Sequence, residues 1–219
     1  MLPTIFPTIV IDSSKAPTSL CQMGLVAGTD KTPFNVNGHR HPYTAVYSML
    51  FAPLLSRPVR FAEIGIAMGS SGELWNEYFI NQETEIHMFD RDENFIHNLK
   101  SRVPSERLHA SLMDVNVDGD VERALRESSK GGLYDVIIDD SSHQVAHQIR
   151  IVKEGLAMLK PGGMLIIEDV FKSTKEEEYL EPLKEQLKQC SFAYFVQCEH
   201  VLRWSPGWDN DKLLVLVKA

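Results

Sequence analysis

R-F-A-E-I-G-I-A-M-G-S-S-G-E-L-W, Arg60 to Trp75, is the stretch whose reading decides the fold. Phe61 to Ile66 is a short apolar run broken only by Glu63, as a buried strand would be. Gly65 and Gly69 mark a turn, and Ser71 to Phe79 follows as a helix. A strand entering a glycine-rich turn and then a helix offers backbone N–H groups and a helix N-terminus to a ligand.

Working outward, strands and helices alternate. Strands are expected at Glu85–Phe89, Leu108–Leu112, Tyr134–Ile138, Met164–Ile167, Phe192–Cys198 and Lys212–Val217. Helices are expected at Tyr43–Leu55, Glu93–Val103, Val117–Glu127, Ser142–Leu159 and Thr174–Lys188. This alternation implies an α/β fold: a Rossmann-like, doubly wound, seven-stranded sheet, mostly parallel, with helices on both faces. The segment between the last two strands is too irregular for a crossover helix, so the last strand is expected to be antiparallel. Residues 1–40, with Pro3, Pro7, Pro17 and Pro33, are expected to form an irregular arm or lid, and residues 41–219 a single domain.

Composition narrows the classes. The chain of 219 residues has 22 basic and 30 acidic residues, a formal charge of −8, which argues against sequence-independent nucleic-acid binding. Three cysteines with no CxxC pair suggest reduced thiols, and no run approaches the length of a membrane span. A cytoplasmic location is the expectation.

Acidic residues recur where strands end: Asp90, Asp114, Asp139, Asp140, Glu168 and Asp169. Ligands of doubly wound sheets bind beyond those ends. Helix capping explains one such acid but strains to explain six. Asp90, at the end of the second strand, is placed to accept hydrogen bonds from ribose hydroxyls. Ala67 replaces the glycine that close approach of a pyrophosphate requires, and Glu63 would add negative charge beside one. A cationic or zwitterionic nucleoside therefore fits better than a dinucleotide.

Asp140 and Glu168 end strands expected to be adjacent, with Asp169 beside them. Three oxygen ligands suit Mg²⁺ or Mn²⁺. His143, three residues after Asp140, is expected in the first turn of the following helix, pointing into the same cleft as a general base. A polar surface histidine is the plainer alternative.

F-A-E-I-G-I-A-M-G, M-F-D-R-D, Y-D-V-I-I-D-D and L-K-P-G-G-M-L-I-I-E-D-V resemble the class I S-adenosylmethionine-dependent methyltransferases. The resemblance implies S-adenosyl-L-methionine as the cofactor, bound by Glu63, Gly65, Ala67, Gly69, Ser70, Asp90, Met113, Asp114 and Asp139. D-D-S-S-H-Q-V-A-H, with G-T-D-K and H-P-Y-T-A-V-Y upstream, is similar to the metal-dependent sugar O-methyltransferases of macrolide and glycan pathways. That likeness implies catalytic Asp140 and His143, metal ligands Asp140, Glu168 and Asp169, and a folded-over arm with His41 and Tyr43 at the cofactor's amino-acid end. The acceptor would be a small molecule or glycan carrying a deoxysugar such as a rhamnose-type unit, and the chain could be a module of a larger glycan-building enzyme, its oligomeric state open. A catechol or other phenolic acceptor would use the same metal site. A nicotinamide oxidoreductase is disfavoured by Ala67 and Glu63. Trp204 and Trp208, with Arg203 and Asp209, are candidates for contact with a sugar, with core packing an equal alternative.

Overall fold

The computed structural model describes residues 4–5 and 8–219; Pro3 and Pro7 lie outside them. In chain order the strands are β1 (Thr4–Ile5), β2 (Ile9–Asp12), β3 (Arg60–Ile64), β4 (Glu85–Asp90), β5 (Leu108–Leu112), β6 (Tyr134–Asp139), β7 (Leu159–Ile167), β8 (Cys190–Glu199) and β9 (Lys212–Lys218). The helices are α1 (Ser19–Ala27), α2 (Tyr43–Phe51), α3 (Ser70–Tyr78), α4 (Glu93–Arg102), α5 (Asp120–Ser128), α6 (Val145–Gly155), α7 (Glu177–Leu180) and α8 (Lys184–Leu187).

All seven expected strands pair in one sheet, ordered β8-β9-β7-β6-β3-β4-β5. Strands β3 to β7 pair in parallel, and β9 runs antiparallel to both β7 and β8. The inner strands are apolar on both faces because helices cover both. Phe61, Ile86 and Val136 pack with Trp75, Phe51 and Phe79 on one side. Ile64, Ile137 and Leu165 pack with Val152, Leu156 and Leu125 on the other. Each fully buried side chain of this size stabilises the fold by about 1.5–3 kcal/mol.

Three expectations are corrected. The arm is not irregular: β1 and β2 add to the sheet beside β8, both in parallel, and α1 packs against α2 and α3. Thr18 caps α1 by accepting from the Cys21 N–H, and Gly28, left-handed at φ 72°, ends it. The expected helix Thr174–Lys188 is two short pieces, because Pro182 lacks an N–H and cannot continue a helix. Helix α6 starts at Val145 rather than Ser142, so His143 precedes it.

Register positions the rim. Ile64 is level with Phe89 on β4 and with Asp139 on β6, and Asp139 is level with Ile167 on β7. The ladder runs one step further: Gly65 N–H donates to the Phe89 carbonyl, Asp140 N–H to Ile64, and Glu168 N–H to Asp139. Gly65, Asp90, Asp140 and Glu168 thus leave the sheet together.

Candidate active site

Two cavities meet at this rim. The first, about 290 Å³, is lined by Asp90, Phe95, Met113, Val115, Asn116, Ser142 and His147. The second, about 330 Å³, lies across the glycine loop against the arm, with Thr29, Lys31, His39 and Ser70 on its walls. Gly65, Ala67 and Asp140 line both. The loop turns through left-handed backbone at Gly65, Ala67 and Gly69, with φ of 109°, 44° and 81°. Ala67 in this region is uncommon for a residue with a Cβ. Asp90 holds the loop: one carboxylate oxygen accepts from the Ile66 N–H at 2.9 Å, the other from the Asp92 N–H at 3.0 Å. It does not cap α4, whose N-cap is Asp92.

Other expected cofactor residues lie elsewhere. Glu63 is fully buried, accepting from the Trp75 indole N–H behind the loop. Asp139 is buried and turns back to the Ser141 N–H and hydroxyl; burial pushes its carboxyl up to about 7. Asp114 serves its own turn, accepting from the Asn116 N–H. His41 and Tyr43 line neither cavity. The His41 ring stacks on Tyr43 at 5.2 Å and pairs with Asp211 at 2.9 Å, while the Tyr43 hydroxyl donates to Asp169 at 2.7 Å. They brace the acidic rim rather than the donor-side cavities.

The rim acids do converge, but not as expected. Lys31 from the arm is buried, and its ammonium lies 2.5 Å from Asp140 Oδ2, 2.6 Å from Glu168 Oε2 and 3.5 Å from Glu63 Oε1. Burial opposes its charge, yet these three carboxylates raise its pKa well above that of an ordinary lysine. Burial pushes Glu168 well up despite Lys31, and Glu63 up likewise. Both Glu168 oxygens are committed, one to Lys31 and one to the Tyr47 hydroxyl. The set whose ligand atoms lie within 4.8 Å of one another is therefore Asp140, His143 and Asp169.

His143 reaches the rim through a left-handed backbone at φ 57°, and Asp169 does so at φ 55°. Non-glycine residues in that region cost of order 1–3 kcal/mol and cluster at functional sites. The His143 Nδ1 lies 3.2 Å from Asp169 Oδ2, is buried, and makes no hydrogen bond among the described residues. Burial raises the Asp169 carboxyl, with His41 and His143 opposing. Two carboxylates this close together beside an imidazole fit a divalent cation such as Mg²⁺ or Mn²⁺ held by oxygen ligands. Beyond His143 stands Trp208, its ring 5.8 Å away and 44% exposed.

Lys31 is the residue sequence reading missed. G-T-D-K was visible, but a lysine in an arm expected to be irregular gave no sign of a buried ammonium. Tyr43 and Tyr47 were visible on α2, Tyr43 as an expected contact of the cofactor's amino-acid end and Tyr47 in a spacing that spoke of core packing.

No family model matches the chain. The 8-demethyl-8-alpha-L-rhamnosyl tetracenomycin-C 2'-O-methyltransferase of Streptomyces olivaceus is 30% identical over 181 residues, 77% of this chain and 43% of that protein. The mycinamicin VI 2''-O-methyltransferase of Micromonospora griseorubida is 28% identical over 61% of this chain and 33% of its own length. The chain thus spans less than half of each of these relatives. The solved structure of the MycE methyltransferase of the mycinamycin pathway, in complex with Mg and SAH, matches with a TM-score of 0.58 at 26% identity, over 69% of this chain and 37% of that one. An O-methyltransferase from Bacillus cereus in complex with SAH shares the fold at TM-score 0.59 and 17% identity, covering 93% of both chains.

With the strand order, the glycine loop and these likenesses together, the fold is that of the class I S-adenosylmethionine-dependent methyltransferases. Within that class the chain is similar to sugar O-methyltransferases that act in macrolide and related glycoside pathways.

Proposed function

We propose that this domain transfers the methyl group of S-adenosylmethionine to a hydroxyl of a sugar, with a divalent cation, Mg²⁺ or Mn²⁺, at the rim. The observation that carries the reading is the place of Asp140. It lines both cavities beside the glycine loop and belongs to the cluster with His143 and Asp169. Donor site and acceptor chemistry share one residue.

The first cavity suits adenosine. Phe95, Met113 and Val115 offer apolar contact to a base, and Asp90 retains lone pairs for ribose hydroxyls. The second suits the amino-acid end, with Ser70, Thr29 and Lys31 on its walls. The sulfonium would then lie near Gly65 and Asp140, which the two share.

Asp140 and Asp169 would hold the cation, with Glu168 nearest to complete the set. When bound, it would supply Lewis acidity that lowers the pKa of a substrate hydroxyl. His143 is the proton acceptor, and Asp169 at 3.2 Å from Nδ1 orients its ring and stabilises the imidazolium. Trp208, half-exposed beside His143, offers an aromatic surface that suits the C–H face of a sugar. The arm segment 28–39 walls the second cavity and would help keep a bound donor from water. The likeness to sugar O-methyltransferases favours a sugar over a catechol.

A panel of deoxysugar glycosides and phenols, incubated with methyl-labelled S-adenosylmethionine with and without EDTA, tests the reading. Label should pass to a sugar hydroxyl and EDTA should abolish transfer. Transfer only to phenols, or transfer indifferent to EDTA, would sink the corresponding part.

A further inference from the structure

The Lys31 ammonium has three N–H donors, and two are spent on Asp140 and Glu168. The same residue walls the second cavity, where it is the sole lysine or arginine. One of the acids it holds, Asp140, belongs to the cluster that a divalent cation at the rim would draw upon. A dication on Asp140 competes for the oxygen that Lys31 contacts at 2.5 Å and repels the ammonium itself. The nearest space that can receive the released charge is the second cavity, which this ammonium already borders.

We propose that Lys31 couples cation binding to methyl-donor binding: a cation at the acidic rim frees the ammonium to hold the carboxylate of the donor's amino-acid end. The proposal rests on the reading of the second cavity given above. Without a cation, Lys31 is locked in the Asp140–Glu168 pair and offers the donor little. With one, Asp140 is neutralised and the ammonium, left with Glu168 and Glu63, is free to take a new anion. The donor carboxylate supplies it. By linkage the donor must then tighten cation binding by the same factor. Coupling between two sites in one protein is commonly five- to 150-fold, and Lys31 is the element both ligands bias.

Lys31 is a flexible chain on an arm, so the change asks for side-chain rotation and no movement of the sheet. Glu63, 3.5 Å away and with Oε1 lacking a hydrogen-bond partner among the described residues, keeps the ammonium near the loop in either arrangement.

The test is calorimetric titration of the whole chain with S-adenosylhomocysteine, in EDTA and in saturating Mg²⁺. Methylthioadenosine, which keeps the adenosine but lacks the amino-acid end, serves as the paired probe. The expected result is a roughly tenfold gain in S-adenosylhomocysteine affinity with Mg²⁺ and no comparable gain for methylthioadenosine. In Lys31→Met the gain should vanish while Mg²⁺ still binds. Equal gains for both probes, no gain in the wild-type chain, or a gain that survives Lys31→Met would each overturn the proposal. The wild-type comparison of the two probes stands even where Lys31→Met fails to fold. Binding of neither probe to the wild-type chain would overturn the reading of the donor site and this inference with it; binding without coupling would overturn this inference alone.

Discussion

A Cβ placed on Gly65 would lie 2.0 Å from the carbonyl oxygen of Asp140. The loop that leaves β3 and the rim that leaves β6 therefore touch backbone to backbone, and only glycine permits it. Gly65 also needs the left-handed region, at φ 109°. Gly65→Ala combines a backbone clash with a strained φ and should cost about 2–4 kcal/mol of stability. S-adenosylhomocysteine binding should be lost with it. Denaturant midpoints and a binding titration on the same sample check both, and a variant with unchanged midpoint would contradict the close approach.

Asp90 is tied to the same loop through the Ile66 N–H. Asp90→Asn keeps the shape and one acceptor but loses the charge and part of the acceptor capacity. Hydrogen bonds to a charged group contribute about 1.5–3 kcal/mol, so S-adenosylhomocysteine should bind roughly ten- to a hundredfold more weakly, with the fold retained. Unaltered affinity in Asp90→Asn would leave Asp90 a loop clamp alone.

His143 stands at the rim outside the helix that was expected to carry it. Its removal should leave donor binding intact and slow turnover. Positioned proton acceptors typically contribute 10²- to 10⁴-fold, so His143→Ala should lower kcat by about that factor with little change in S-adenosylhomocysteine affinity. A kcat within threefold of the wild type would assign the proton to another group.

These three positions differ in how legible they were. The strand–loop–helix reading of Arg60 to Trp75 was secure because apolar runs, glycines and alternation all speak for one sheet order. Asp90 followed from that order. His143 was expected in the first turn of the helix and lies before it: Asp139 turns back to Ser141, and the chain takes a left-handed step before α6 begins. Local spacing cannot show such a step. Glu168 was drawn to the rim by its place after β7, yet its partner Lys31 lies 137 positions away in the chain. Long-range ion pairs leave no periodicity to read. The arm hid its strands for a related reason. Ile9–Asp12 forms a strand by adding to the edge at β8, so its structure depends on a partner far along the chain.

At the opposite end of the sheet, His87 gives a pH prediction free of the rim. Burial, then the charges of His109 and Arg60, push its pKa down to about 4, with Glu85 opposing. Its ring is neutral, with Nδ1 paired to the Ser128 hydroxyl at 2.6 Å. An unfolded histidine titrates near 6.5, so between pH 6.5 and 4 the unfolded chain binds the extra proton and stability falls as pH falls. The loss at this one site is on the order of 3 kcal/mol. His87→Gln should flatten the curve of stability against pH in that window. Chemical denaturation at several pH values measures it, and parallel curves for the two proteins would rule the site out as the source.

Trp208 bears on the acceptor. Its ring packs edge-on to His39 and His143 and against Phe171, at centroid distances of 5.6, 5.8 and 6.0 Å. These contacts hold the ring in place and leave the residue 44% exposed beside His143, open to a substrate. It lines neither cavity beside the glycine loop. Trp208→Ala should therefore raise KM for a sugar acceptor while leaving S-adenosylhomocysteine affinity unchanged. An aromatic contact of this kind contributes about 0.5–1.5 kcal/mol beyond its buried area, so the rise should be roughly five- to thirtyfold once that area is included. Trp208→Phe should recover much of the loss, because a smaller ring still offers a face. If Trp208→Ala instead lowered kcat alone, the ring would be holding His143 in place rather than meeting the substrate.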